Sequence, residues 1–188
     1  MSVIDKLIEG NNRFMSEGDR KLREHTARHG QQPYAIIICC SDSRVIPEQI
    51  FSSKIGEVFV IRVAGNVLDN HQLGSIEYAA AHLGCKLVLL LGHTGCGAVE
   101  AAITGHGDGF IRYIVDDILE AAGGEHDPEK ACRMNVLHGV ERIRKEFAEH
   151  PEIADVDIKG AVYDIGTGAV EWLEQTAGVN IRDKTITS

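Results

Sequence analysis

Two short stretches hold the residues able to do chemistry. In "CSDSRV", Cys40, Asp42 and Arg44 occupy alternate positions directly after an apolar run; in "GHTGCGAV", His93 and Cys96 stand three apart between glycines. Two thiolates and one imidazole suit Zn²⁺, and three protein ligands leave its tetrahedral shell with an open corner, the mark of a catalytic rather than a structural zinc. An aspartate beside that corner can accept a hydrogen bond from a metal-bound water and orient the attacking lone pair. An arginine can hold the carboxylate in a two-pronged pair, keeping it ionised and off the metal. A broken pair would free Asp42 to coordinate zinc and close the site. Cys39 precedes Cys40, and alternation along an extended chain puts Cys40, Asp42 and Arg44 on one side and Cys39 in the packed interior, unless the chain turns at Ser41. Cys39 then acts as a small buried hydrophobe.

Such residues need strand ends to carry them. The stretches 34–40, 57–66 and 86–93 read as buried strands, two of them ending in the candidate ligands. Helices are expected over 75–84, 96–105, 110–122 and, after Asp127 as cap and Pro128 as first residue, up to Pro151. Residues 3–16 form an amphipathic N-terminal helix with Ile4, Leu7, Ile8 and Phe14 in a stripe, followed by a polar connecting arm over 17–33. Residues 158–173 read as strand, turn and strand, and the tail beyond Trp172 as polar and irregular. The expected fold is α/β: a mainly parallel central sheet flanked by helices on both faces, with a C-terminal antiparallel hairpin and an extended N-terminal helix and arm. Ligands of open α/β sheets bind beyond the carboxyl ends of the strands. With no repeat or linker, residues 1–188 read as one domain.

Composition narrows the function. The 188 residues are 44% hydrophobic and carry a net charge of −9, with no basic face for nucleic acid or an anionic membrane. No run reaches the roughly 18 apolar residues a membrane span needs, and the N-terminus does not read as a secretory signal. Five cysteines cannot all pair internally, so reduced thiols and a cytoplasmic location are expected.

In "CSDSRV" and "GHTGCGAV", and in "GEVFVIRVAGN", "LGSIEYAAAHLG" and "GAVYDIGTGAVEWL", the sequence resembles the bacterial branch of the β-class carbonic anhydrases over nearly its whole length. The resemblance implies one zinc per chain on Cys40, His93 and Cys96, with Asp42 and Arg44 as a catalytic dyad. It implies reversible hydration of carbon dioxide to bicarbonate by a zinc-bound hydroxide. It also implies a homodimer embraced by residues 1–33 of each chain, with pairing of dimers into a tetramer. Val63 stands where many plant-type members carry Asn and where a bacterial branch also has Val. Backbone N–H near Gly65 is the expected donor to a substrate oxygen, and Val67 an expected apolar wall of the substrate pocket.

Other readings compete. The same metal site could hydrolyse carbonyl sulfide or carbon disulfide, and a non-catalytic zinc module would need neither the open corner nor the dyad. A vicinal Cys39–Cys40 disulfide forms only with strain. Cys85 and Cys132 read as core thiols, and His71, His82, His106 and His138 as surface or capping residues. "GHGDG" and "GTG" lack the spacing of a phosphate cradle.

Overall fold

The computed structural model describes residues 1–150 and 153–173. Five strands, β1 (Ala35–Cys39), β2 (Val58–Arg62), β3 (Leu87–His93), β4 (Asp157–Tyr163) and β5 (Val170–Leu173), form one sheet in the order β2-β1-β3-β4-β5. The first four run parallel and β5 pairs antiparallel with β4, closing the expected C-terminal hairpin. Seven helices lie among the described residues: α1 (Val3–Glu17), α2 (Arg20–His29), α3 (Pro47–Ile50), α4 (Asn70–Leu83), α5 (Gly97–Ile103), α6 (Ile111–Ala122) and α7 (Pro128–Phe147). The expectation for the tail beyond Trp172 falls, from residue 174 on, outside the described residues.

β1 shows how the sequence divides the core. Ile36, Ile38 and Cys40 face the larger cluster, built with Ile76 of α4, Val99 of α5, Ile118 of α6 and Val136 of α7. Ile37 and Cys39 face a smaller cluster with Val45, Leu89 and Leu91. Each fully buried Ile or Leu contributes about 1.5–3 kcal/mol relative to exposure, and that burial holds the helices against the strands. The two faces are covered unequally. Four helices supply the first cluster, whereas Ile50 and Phe51, around the end of the short α3, and the loop residue Ile165 pack on the second.

Caps set several boundaries. Ser2 and Asp5 form a capping box at the start of α1, and Asp127 accepts from Glu129 N–H and Lys130 N–H at the start of α7. α4 begins before the expected position because Asp69 and Gln72 form a second capping box, and it ends on left-handed Gly84. The stretch 17–33, read from its polarity as an arm, contains helix α2. Its polarity concealed it: Asp19 caps it, Arg20 pairs with Glu24 at 2.7 Å, and Arg23 donates to the carbonyls of Phe14 and Met15. Neither α1 nor α2 contains a buried residue, and Ile4, Leu7, Ile8 and Phe14 are all exposed. β2 stops at Arg62, where the strand reading ran on to Asn66, because the chain turns left-handed at Gly65 and Asn66. No helix among the described residues is long and apolar enough to cross a membrane.

Candidate metal centre

The connection from β1 leads to β2 on one side, while β3 lies on the other side of β1. The carboxyl ends of β1 and β3 therefore flank the point where the winding reverses, which opens a crevice between diverging loops. Cys40 follows the last residue of β1, His93 is the last residue of β3, and Cys96 caps α5. All three are buried, and their ligand atoms lie within 4.8 Å of one another.

The imidazole is set up to ligate. His93 Nδ1 lies 3.0 Å from the Thr94 carbonyl, to which it donates, and this leaves the Nε2 lone pair directed elsewhere. Nε2 is buried and has no hydrogen-bond partner among the described residues. A buried polar atom without a partner is costly, and a cation held with the two sulfurs would satisfy it. The donor set of two soft sulfurs and one imidazole fits a tetrahedral zinc-type site.

Electrostatics agrees with the geometry. The Cys96 thiol beside it draws Cys40 down to about 4, against burial, with His93 and the N–H groups of Asp42 and Gly65 adding to the effect. The same contact, together with burial, pushes Cys96 up. Burial lowers His93, yet the contacts with Cys40 and the Thr94 carbonyl outweigh it and leave the ring raised. Cys39, on the opposite face, is pushed by burial up to about 12 and is chemically quiet.

Asp42 and Arg44 meet at the mouth. Asp42 Oδ1 accepts from the Arg44 backbone N–H at 2.9 Å and from Nε at 3.0 Å, and Oδ2 accepts from a terminal guanidinium nitrogen at 2.7 Å. That nitrogen also donates to the Gly95 carbonyl at 3.3 Å, tying the β1 loop to the β3 loop. The Arg44 side chain first, then its N–H, holds the Asp42 carboxyl well below the usual carboxylate range.

Gly65 and Val67 lie in and just after the turn that follows β2. Gly65 N–H donates to Cys40 Sγ at 3.3 Å and so supports the sulfur. Val67 is half-buried against the main core and lines a cavity of about 920 Å³ with Asn66, Asn135 and His138, to which none of the three ligand residues contributes. Sequence reasoning passed over Arg62 and Asn135. Arg62 donates to the carbonyls of Cys40 and Asp42, at 3.3 and 2.7 Å, and clamps the strand end that carries both. Its signal was a lone charge inside an apolar run. Asn135 donates to the Gly65 carbonyl at 2.8 Å, and its signal was an amide on the apolar stripe of α7. Cys132, read as a core thiol, is buried there and donates to the His93 carbonyl at 3.3 Å.

A family model described as "Carbonic anhydrase" matches residues 35–170. Carbonic anhydrase 2 of Mycobacterium tuberculosis is 42% identical over 122 residues, which cover 60% of this chain and 59% of that protein. The match thus spans about three fifths of the mycobacterial relative's length. A β-carbonic anhydrase of Coccomyxa, solved in complex with acetazolamide, superposes with a TM-score of 0.78 at 29% identity, covering 93% of this chain and 88% of that one. A tetrameric β-carbonic anhydrase of Sordaria macrospora superposes with a TM-score of 0.77 at 26% identity, covering 92% and 97%.

Proposed function

Since the chain belongs to the β-class carbonic anhydrase family, we propose that it catalyses the reversible hydration of carbon dioxide to bicarbonate and a proton, with one Zn²⁺ per chain held by Cys40, His93 and Cys96. The observation that carries the proposal is the convergence of those three ligand atoms, one of them a buried nitrogen with no other partner. Bound there, zinc would supply the Lewis acidity that makes hydroxide available from water near neutral pH.

The chain's own residues do the rest. A carboxylate offers roughly four acceptor sites, and Arg44 occupies three of those on Asp42. The remaining site, on Oδ2, is free to accept a hydrogen bond from the attacking water or hydroxide and so aims its lone pair at the carbon of carbon dioxide. Arg44 fixes that carboxylate with a rigid fork that lysine cannot reproduce. Arg62 holds the Cys40 and Asp42 backbone in register, so that ligand and orienter keep their spacing.

The acting unit is proposed to be a homodimer in which α1 and α2 of each chain lie on the other, with dimers pairing further. The exposed apolar stripe of α1 supports this, because such a face gains stability when covered. Five buried cysteines, all unpaired, support a cytoplasmic location. Metal analysis together with stopped-flow carbon dioxide hydration tests the proposal on the wild type and Cys40→Ser. One zinc per wild-type chain with fast hydration, both lost in the variant, is expected. A zinc-loaded wild type that leaves the uncatalysed rate unchanged refutes it.

A further inference from the structure

Cys40 Sγ is supported from two sides by backbone, accepting from Asp42 N–H at 3.4 Å and Gly65 N–H at 3.3 Å. The second donor reaches the sulfur because the chain turns left-handed at two successive residues, Gly65 at φ 68° and Asn66 at φ 45°. Left-handed backbone is disfavoured outside glycine, so such a turn must be held. Asn66 N–H closes it onto the Val63 carbonyl at 3.0 Å. The other restraint comes from far along the chain. Asn135 Nδ2, on α7, donates to the Gly65 carbonyl at 2.8 Å across 70 residues.

Asn135 is buried, among Cys132, Val136 and Gly139 on the inner stripe of α7. A buried amide is costly there unless its hydrogen bonds are used. Helix α7 thereby grips the end of β3, through Cys132 on the His93 carbonyl, and the turn after β2, through Asn135 on Gly65. Hydrogen bonds to a ligating sulfur withdraw charge from it and tune the metal it binds.

We infer that Asn135 is a positioning residue of the metal centre: by holding the Gly65 carbonyl it keeps the Gly65 N–H on Cys40 Sγ and so limits the charge that sulfur passes to a bound cation. The inference rests on the reading of Cys40 as a metal ligand.

The test uses the full chain loaded with Co²⁺, as wild type, Asn135→Leu and Asn135→Ala. Leucine keeps the branched heavy-atom skeleton of asparagine and alanine does not, but neither can donate. Both variants are expected to move the sulfur-to-cobalt charge-transfer band to lower energy by similar amounts, and both are expected to lose zinc affinity by about tenfold in chelator competition. An unmoved band and unchanged affinity in both overturn the inference, as does a change confined to Asn135→Ala, which would report lost volume rather than a lost donor. If neither variant folds, NMR of the wild type loaded with a spin-active cadmium isotope decides. Scalar coupling from the metal to the Gly65 amide proton supports the inference, and its absence overturns it. A moved band in a chain whose wild type hydrates no carbon dioxide refutes the proposed function alone. An active wild type with an unmoved band in both variants refutes only the role of Asn135.

Discussion

Gly92→Ala tests how tightly the metal centre is braced from behind. Gly92 precedes His93 on β3, and a Cβ there would lie 2.6 Å from Val136 Cγ2 and 3.0 Å from Cys132 Sγ, both on α7. Carbon atoms in contact sit roughly 3.5–4.0 Å apart, so strand and helix would have to separate by about 1 Å. Val136 is fully buried in a 20-residue helix and has no room to swing aside. Overpacking of this kind costs about 1–3 kcal/mol. With a urea slope near 2 kcal/mol per molar, the unfolding midpoint should fall by about 0.5–1.5 M. Denaturation at fixed protein and zinc concentration measures it, since binding and assembly both shift apparent stability. Zinc affinity should fall as well, because the displaced strand carries His93. The sharper control is Gly92→Ala with Val136→Ala. Removing the colliding methyl should make the pair less damaging than the sum of its parts, with a coupling of about 0.5–3 kcal/mol. A neutral Gly92→Ala, or strict additivity in the double variant, would refute the claim that α7 presses on β3.

Arg44→Lys keeps the charge but cannot span both Asp42 oxygens, so hydration should drop by about tenfold or more with zinc content unchanged. Full activity in that variant would leave the pair without a catalytic purpose. Two thiolates make zinc a poorer Lewis acid than three imidazoles would, so the hydration rate should climb from about pH 6 to 9. Asp42, held well below the carboxylate range, stays ionised throughout and does not contribute to that slope. Burial raises Asp117 above its ordinary value of 3.8, against the lowering effect of Arg142. Its carboxyl binds a proton more tightly in the folded chain, so its contribution is full below the ordinary value and is lost as pH rises through the raised one. Asp117→Asn should therefore unfold at higher urea than wild type at neutral pH, with the gap closing below about pH 4. Leu7→Glu, on the exposed stripe of α1, should shift the sedimentation profile toward smaller species, and an unchanged profile would count against the embrace by residues 1–33.

Much of this centre was legible in the sequence because two regularities point at it. Unbroken apolar runs mark buried parallel strands, and chemistry collects where such runs stop. The alternation of Ile36, Ile38 and Cys40 against Ile37 and Cys39 separated the two adjacent thiols correctly, although the chain bends beyond Cys40 and Arg44 reaches Asp42 through a turn. What stayed hidden was long-range. Nothing near Asn135 announces a partner 70 residues away, and Arg62 reads as an ordinary charge inside a strand over 57–66, whereas its guanidinium donates to the carbonyls of Cys40 and Asp42. Helix α2 was missed for a different reason. With no buried residue it lacks the apolar stripe on which periodicity depends.

The brace supplied by α7 orders events in time. A nascent chain that ends at Ile103 already carries every sulfur and the imidazole of the centre, but Cys132, Asn135 and Val136 have yet to be translated. Until they arrive the Gly65 turn has no distant anchor and β3 has no wall behind it. On the proposed reading of the centre, firm metal uptake is expected only after α7 has been made and packed against β3.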